Sequence, residues 1–245
     1  SDIHPGVGAI HTQSYWSGYN QLMASDLMNE GLSPDEIIDY IVENDVNNNP
    51  SIRQYGVVDI YEGGRSAAYT GENCMDYKGH ILGPTYAIQG NILLREEVLI
   101  NMENNFNSTP GTLSDKLMAA LQGANIPGAD SRCLDDGVSS LSAFIRVAEP
   151  MDDENDFFLD LNINNTSNGQ EPIDLLQDLY DQWLYEQDPT GDIDGNGSVT
   201  MADFILLLQI VLQFEQLTEI QQTSGDLDFT GTIDIFDLLI LVDQL

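Results

Sequence analysis

The chain has 245 residues, of which 42% are hydrophobic, so it is long enough for one or two domains with cores of their own. Acidic residues outnumber basic ones by 41 to 7, which leaves a net charge of −34 at pH 7. This balance excludes nucleic acid and anionic membranes as partners, because both are bound through clustered lysine and arginine. Bound divalent cations would compensate so much negative charge, and dissolved salt would screen it. No run of about 20 apolar residues occurs, so no membrane span is predicted, and the N-terminus is typical of a mature or processed piece.

The first part of the chain predicts a mixture of strands and helices. Residues 4–13 predict a turn and a short strand, and residues 20–29 predict a helix that ends at Gly31. Ser33, Pro34 and Glu36 form a helix start signal, with serine at the N-cap, proline at the first position and glutamate at N3. The apolar residues that follow at 37, 38, 41 and 42 lie on one face of that helix.

The remaining elements before residue 190 follow from their apolar periodicity and turn residues. We expect a hairpin of strands at 54–60 and 65–70, a strand at 86–89 and helices at 93–105 and 113–121, the second capped by Thr112. Strands at 140–148 and 157–163 and a closing helix from 175 to 184 are expected to follow. Residues 188–190 are expected to form a linker, after which the composition changes. This mixed order predicts an α+β fold.

Cys74 and Cys133 are the two cysteines of the chain. One disulfide suits an oxidising compartment, and two buried free thiols are the alternative. The composition leaves both open.

From residue 191 onwards one acidic pattern occurs twice, 34 residues apart. An EF-hand-type calcium loop places oxygen ligands at positions 1, 3, 5, 7, 9 and 12, with glycine at position 6. In the first loop these positions hold Asp192, Asp194, Asn196, Ser198, Thr200 and Asp203. In the second they hold Asp226, Asp228, Thr230, Thr232, Asp234 and Asp237. Each loop runs into an apolar helix, predicted at 204–214 and 238–242.

A single acidic turn before a helix has a second interpretation, in which aspartate only caps the helix. Two loops that share glycine at position 6 and aspartate at position 12 favour calcium instead. The sequence therefore predicts two Ca²⁺ sites. The second is expected to be the weaker one, because Thr230 replaces a stronger ligand.

This pair of loop–helix repeats resembles a type I dockerin. The resemblance implies a small all-α domain that binds calcium and a cohesin-like module. Loop positions 10 and 11, through which dockerins recognise cohesins, hold Met201 and Ala202 in one repeat and Ile235 and Phe236 in the other. They differ from the small hydroxyl residues of cellulosomal dockerins. They predict an apolar partner or the protein's own first domain.

The larger part of the chain, residues 6–184, carries another resemblance in the segments 6–13 (Gly-Val-Gly-Ala-Ile-His-Thr-Gln), 53–59, 69–74, 86–93 and 128–132. It is similar to the family catalogued as domain of unknown function 1028, of the Ntn-hydrolase-like superfamily. The resemblance implies a four-layer αββα sandwich. Family members begin with a strand that this chain lacks, so we expect another chain or a cleaved fragment to complete the sheet. The resemblance also favours a disulfide between Cys74 and Cys133.

The superfamily's chemistry uses an N-terminal Thr, Ser or Cys whose amine serves as its own base. Ser1 is a candidate for this role. The alternative is that Ser1 is only where a protease cut or where the piece begins, and the family resemblance places it in a loop before an interior strand rather than at the nucleophile position. His11, Asp130 and Arg132 are further candidate catalytic residues, for which a core histidine and a structural ion pair are the alternatives. Other polar candidates for a pocket are Thr12, Gln13, Asn73, Asp76, His80, Gln89 and Asn91.

Together these patterns predict an Ntn-hydrolase-like domain at 1–187, a linker at 188–190 and a dockerin-like domain at 191–245. We expect a secreted bacterial protein, extracellular or at the cell surface, whose repeats dock it in a calcium-dependent assembly or oligomer. The partner would be a cohesin-like module or a neighbouring subunit. The alternative is a secreted Ntn-type amidohydrolase that the tail anchors, which rests on analogy of fold.

Overall fold

The computed structural model describes residues 1–153, 156–166, 169–187, 191–213, 218, 221, 224–228 and 230–245. These form two compact units, Ser1–Asp178 and Leu179–Leu245. The predicted linker at 188–190 and the end of the predicted helix at 204–214 lie outside the described residues. Among the residues that are described, none of the helices combines the length and the apolar character needed to cross a membrane.

A four-stranded antiparallel sheet forms the centre of the first unit. Its strands, in spatial and chain order, are β1 (Asp2–His4), β2 (Gly8–Gln13), β3 (Gln54–Asp59) and β4 (Arg65–Thr70). The predicted hairpin is confirmed as β3 and β4. The three residues of β1 were missed, because they are too few to show an alternating pattern.

Two helices cover one face of this sheet. They are α1 (Gly18–Asn29) and α2 (Pro34–Glu43), and α2 begins at the predicted capping box of Ser33 and Glu36. The buried side chains of this layer include Ile37 and Ile41 of α2, which pack with Ile10 and Tyr55 of the sheet in one apolar core. The apolar stripe predicted from the sequence therefore faces the sheet.

Two separate strand pairs lie on the other face. They are β5 (Gly79–Gly83) with β6 (Tyr86–Gly90), and β7 (Ala143–Val147) with β8 (Leu159–Ile163). β5 and β6 contact β4 and β3, and His11 of β2 stacks on Phe144 of β7 with ring centroids 6.2 Å apart. β5 was missed in the sequence, because its terminal glycines weaken a strand pattern.

A second pair of helices, α3 (Glu97–Ser108) and α4 (Leu113–Gly123), packs outside these strands. The layers thus run helix, sheet, strand pairs, helix, and the α+β prediction is confirmed. α4 has the predicted Thr112 cap. α3 begins four residues later than predicted, because Leu93 is drawn into a β-bridge with Asp130.

The closing helix α5 spans Pro172–Gln187. The second unit contains α6 (Met201–Val211) and α7 (Ile235–Gln244), which pack on each other. Their shared core includes Leu207, Leu238 and Leu241, together with Ile193 of the first acidic loop.

The expected disulfide is wrong for this structure, in which Cys74 and Cys133 are free and buried. The thiol of Cys74 donates instead to the Arg53 carbonyl at 3.2 Å. Cys133 lies in a short 3₁₀ helix after Asp130. Each thiol therefore has its own buried environment, and burial raises the pKa of the Cys133 thiol.

Candidate functional sites

Three carboxylates converge in the first acidic loop. Ligand oxygens of Asp192, Asp194 and Asp203 all lie within 4.8 Å of one another. Asp192 accepts backbone hydrogen bonds from Gly195, at 2.9 Å, and from Gly197, at 2.6 Å. The loop is therefore wrapped around the side chain at its first position, with Gly197 in the left-handed region (φ 86°) that glycine adopts freely.

The second loop repeats this arrangement. Oxygens of Asp226, Asp228 and Asp237 also lie within 4.8 Å of one another. Asp226 accepts from the backbone of Gly231 at 2.8 Å, as Asp192 does from Gly197. Thr230 differs from its counterpart Asn196, because its hydroxyl donates to the Asp228 carboxylate at 2.8 Å. That hydroxyl is thereby turned towards a neighbouring side chain.

The last aspartate of each loop is completely buried. One oxygen of Asp203 accepts from the backbone of Ile193 and Asp194, at 2.8 and 3.0 Å, and the other accepts from the backbone of Thr200 at 2.8 Å. Burial acts to raise the pKa of Asp203, but these hydrogen bonds outweigh it and hold that pKa below its usual range. Asp237 makes the equivalent bonds, including one of 2.7 Å from Leu227. Both carboxylates are thus held in place by the backbone of their own loops.

The donor set fits a divalent cation. Residues 179–245 contain thirteen aspartates and glutamates but no lysine, arginine or histidine, so no side chain of the second unit can neutralise these clusters. Carboxylates grouped in this way without a cation repel one another, and the buried ones, Asp192, Asp203 and Asp237, are costly to desolvate. Hard oxygen ligands of this kind are those that Ca²⁺ prefers.

The loops do not use all the predicted positions alike. The carboxylates brought together are those at positions 1, 3 and 12, while the residues at position 9 cap the following helices. Thr200 accepts from the backbone of Ala202 at 3.2 Å, and Asp234 accepts from that of Phe236 at 2.8 Å. In EF-hand loops position 9 often reaches the ion through a water, so a capping role is compatible with calcium.

Beside the loops, the second unit exposes an apolar surface. Met201, Ile235 and Phe236, which hold the predicted recognition positions, are 59%, 54% and 61% exposed. Ile205 and Leu239, one turn further along their helices, are also exposed. We call these five residues the exposed apolar set.

The first unit contains two adjoining cavities, of about 720 and 280 Å³. The larger is lined by the ends of β6 and β7 together with parts of α3 and α4, and the smaller continues along the same two strands. Both cavities share the lining residues Gln13, Gln89, Met102, Leu121 and Phe144. We call the pair the inter-hairpin groove.

The candidate catalytic residues fall at different places around this groove. Asp130 and Arg132 line the larger cavity as an ion pair with a shortest separation of 2.5 Å, and His11 lines the smaller one. Burial acts to raise the pKa of Asp130, but the Arg132 guanidinium overrides it and holds that pKa below its usual range. Ser1 is exposed and precedes β1. The sequence analysis gave a structural ion pair and a core histidine as the alternatives to catalytic roles. In the structure, Asp130 and Arg132 form an ion pair and His11 stacks on Phe144.

His11 is half-buried on the groove side of β2. Burial lowers the pKa of its imidazole to about 4, so the ring is neutral at pH 7.

Of the other polar candidates, Gln13, Gln89 and Asn91 line the larger cavity. Thr12 faces α1, where its hydroxyl contacts Gln21, and His80 bonds Thr70 at 2.9 Å. Asn73 bonds Ser51, and Asp76 pairs with Lys78 at 2.7 Å. The predicted set is thus divided between the groove and separate local contacts.

Sequence reasoning missed a buried polar network beneath α1. Arg53 and Asp45 form an ion pair at 2.8 Å, and Asn20 donates to Asp45 at 2.6 Å and to Tyr55 at 2.7 Å. All four side chains are almost wholly buried. Spacing along the chain gave no signal for it, because the four residues come from three separate segments.

The comparisons with known proteins also divide the chain into a larger first part and a smaller second part. The profile of the family of unknown function DUF1028 matches residues 2–175, and that of the dockerin type I domain matches residues 190–245. Among solved structures, protein SPO2555 from Silicibacter pomeroyi, described as DUF1028, is 22% identical with a TM-score of 0.56. That match covers 72% of this chain and 76% of the other. No curated protein matches the chain.

Proposed function

Because the chain belongs to the DUF1028 family and ends in a dockerin type I domain, we propose that it is a secreted calcium-binding protein whose C-terminal repeats dock it in an extracellular assembly. Dockerin type I domains bind calcium and cohesin modules. The observation that carries the proposal is the convergence of three carboxylates within 4.8 Å in each of two equivalent loops. A domain that folds around two ions would present its docking surface only when calcium is bound.

We assign one Ca²⁺ to each loop. The first would be held by Asp192, Asp194, Asn196 and Asp203 with the carbonyl of Ser198 and, directly or through water, Thr200. The second would be held by Asp226, Asp228, Thr230, Thr232, Asp234 and Asp237. The role of the ion here is structural: it would compensate the clustered negative charge and fix the loops against α6 and α7.

We propose that the exposed apolar set forms the docking surface. Its side chains lie beside both calcium loops, and exposed apolar surface of this kind is typical of interaction sites. We therefore expect a cohesin-like module or a neighbouring subunit that presents an apolar surface rather than a row of polar groups.

Calorimetric titration of the chelator-treated full chain with CaCl₂ tests the proposal. We expect two equivalents, the tighter one at the first loop. The double variant Asp203→Asn/Asp237→Asn should take up neither, while Asp243→Asn, outside the loops, should behave as the unchanged chain. A chain that binds no calcium, or that binds it equally well in the double variant, would refute the proposal.

For the first unit we propose an Ntn-hydrolase-like αββα sandwich that another chain or a cleaved fragment completes. The support is the order of the layers and the division of the second strand layer into two separate pairs, β5–β6 and β7–β8. Intact mass and N-terminal sequencing of the native material test this. A copurifying peptide or a defined oligomer is expected, and a lone monomeric chain would contradict it.

A further inference from the structure

The groove follows the open edges of two strands. Consecutive residues of β6, 86–89, and of β7, 144–146, line the same cavity. Successive side chains of a strand point to opposite faces, so a cavity bordered by consecutive residues runs along the edge of the strand. Within the described part of the chain β6 pairs only with β5, and β7 only with β8. Both edges that border the groove therefore carry main-chain groups that take part in no strand pairing there, although the Gln89 carbonyl accepts from the Gln13 side chain at 3.4 Å.

The two remaining sides of the groove differ in polarity. On the helix side it is lined by apolar side chains, which are Met102 and Phe106 of α3 and Leu117, Ala120 and Leu121 of α4. On the β2 side it is lined by His11 and Gln13. An extended segment lying between β6 and β7 would turn alternate side chains towards these two sides. The groove thus has the two-faced character that a strand with an alternating pattern requires.

Two buried polar atoms at the groove have no hydrogen-bond partner among the described residues. They are Oε1 of Gln89, which is an acceptor, and Nε of Arg146, which is a donor. Buried polar groups are normally satisfied, so each of these is a place where a partner is expected. The main chain and hydroxyl groups of a peptide supply both donors and acceptors.

The charge of the groove also differs from that of the molecule. Its charged lining residues are Asp130, Arg132 and Arg146, two positive against one negative, in a chain of net charge −34. Arg132 is paired with Asp130 and Arg146 with Asp160, so the groove carries little net charge and suits an occupant without charged side chains. Hydroxyl side chains on the β2 side would accept from Nε of Arg146, which has no partner among the described residues.

From these four features we propose that the inter-hairpin groove binds an extended peptide strand of another polypeptide. The strand pairs with β6 and β7, turns apolar side chains at alternate positions towards α3 and α4, and turns hydroxyl or amide side chains towards β2. Each wall is five residues long, roughly 16 Å, which sets the length of the paired segment. This is recognition by strand addition, in which main-chain bonds provide affinity and alternate side chains provide specificity. The inference rests on the proposed completion of the first unit and gives it a place and a partner chemistry.

The test uses the full chain and a fluorescein-labelled, end-capped nine-residue peptide in which valine alternates with serine or threonine. Fluorescence anisotropy should show saturable binding that is the same with calcium and with chelator. A peptide of identical composition with its valines in one block should bind at least tenfold more weakly. Versions N-methylated at every second backbone nitrogen, in either register, should also lose at least tenfold, because they cannot form the ladder.

A matched pair of variants localises the site. Leu117→Lys places a charge on the apolar side of the groove and should weaken binding at least tenfold. Leu113→Lys makes the same change at an exposed position one turn earlier on α4 and should not alter it. Amide hydrogen exchange in β6 and β7 should slow when the peptide binds. If Leu117→Lys does not fold, the N-methylated peptides and the exchange measurement on the unchanged chain still decide.

No binding of the alternating peptide, or equal binding of the blocked and N-methylated ones, would overturn the inference. These outcomes leave the calcium titration untouched, so failure of the groove and failure of calcium-dependent docking are distinguishable. If a polypeptide copurifies with the native material but the groove binds no peptide, the proposal that another chain completes the first unit stands. The proposal that this chain binds in the inter-hairpin groove is then rejected.

Discussion

Asp203 and Asp237 each accept the hydrogen bonds that close their loop, and each contributes a carboxylate to the acidic cluster of that loop. Their carboxylates accept backbone hydrogen bonds from loop positions 2, 3 and 9, and both are fully buried. An ionised buried carboxylate is tolerated when such bonds and a cation compensate it. At these positions an amide would keep the size of the side chain but lose its charge.

Asp203→Asn is predicted to weaken calcium at the first loop by at least tenfold, about 1.4 kcal/mol, while the second loop changes less. The amide removes one negative charge from the cluster and two acceptor sites from the loop. Calorimetric titration measures the calcium affinity, and Asp243→Asn, a change at an exposed position, is the control. Unchanged affinity in Asp203→Asn would show that position 12 is not a ligand.

His11 is predicted to destabilise the first unit in acid. Its pKa is about 4 when folded, because burial disfavours the charged ring, against 6.5 when unfolded. The unfolded chain therefore binds more protons between these values. The stability that neutral His11 contributes is present above pH 6.5 and is lost as the pH falls towards 4, by up to about 3 kcal/mol.

Urea unfolding of the chain and of His11→Gln between pH 7 and 4.5 checks this, since the glutamine variant should lose part of the pH dependence. Burial also lowers the pKa of His80, but His80 is exposed, so His80→Gln is the matched control and should lose less of the pH dependence. Identical pH profiles for the unchanged chain and His11→Gln would contradict the prediction.

Among the secondary-structure elements, the helices after the calcium loops begin with capping boxes built from the loops' own residues. Thr200 with Asp203 caps α6, and Asp234 with Asp237 caps α7. The end of each loop and the start of each helix are thus one unit. Ordering the loop by an ion should therefore also stabilise the first turn of the helix.

Thr200→Ala is predicted to cost about 1 kcal/mol of stability, because the N-cap hydroxyl is lost. Its effect on calcium affinity should be smaller than that of Asp203→Asn, since the hydroxyl is directed to the backbone of Ala202. Thermal unfolding in chelator and calorimetry with calcium separate the two effects. Thr200→Ser retains the cap and is the control. A larger loss of calcium affinity in Thr200→Ala than in Asp203→Asn would show that the hydroxyl is mainly a ligand.

At the scale of the whole molecule, charge is distributed very unevenly. All seven basic residues lie before residue 147, and the second unit contains only acidic ones. Self-repulsion of this kind weakens a compact state and is relieved by screening or by bound cations. Calcium should therefore act on this chain in two ways, as a specific ligand and as a screening ion.

Thermal unfolding in NaCl, MgCl₂ and CaCl₂ at matched ionic strength is predicted to separate these contributions. All three salts should raise the melting temperature of the chelator-treated chain by screening, and calcium should raise that of the second unit further, by several degrees. The excess should disappear in Asp203→Asn/Asp237→Asn. Equal curves in the three salts would mean that calcium acts only as a screening ion.

Local signals predicted much of the fold. The sequence by itself determined the Ser33 and Thr112 caps, the β3–β4 hairpin and the two acidic repeats, because caps, turns and loop ligands depend on neighbours within a few residues. It did not predict β1, β5 or the start of α3. The bridge between Leu93 and Asp130 joins segments almost forty residues apart, and no local pattern reports such a contact.

Only the tertiary structure decided that the two cysteines are free, that position 9 of each acidic loop caps a helix, and that some of the candidate residues of the first unit border a groove while the others make separate local contacts. Each of these depends on the direction of a side chain and on which distant segment it meets. The edges of β6 and β7 that pair with no other described strand are the clearest example, because such an edge depends on which strands the fold places beside it. Spacing along the chain carries no record of such neighbours, whereas the ligands of a twelve-residue loop are contained in the loop itself.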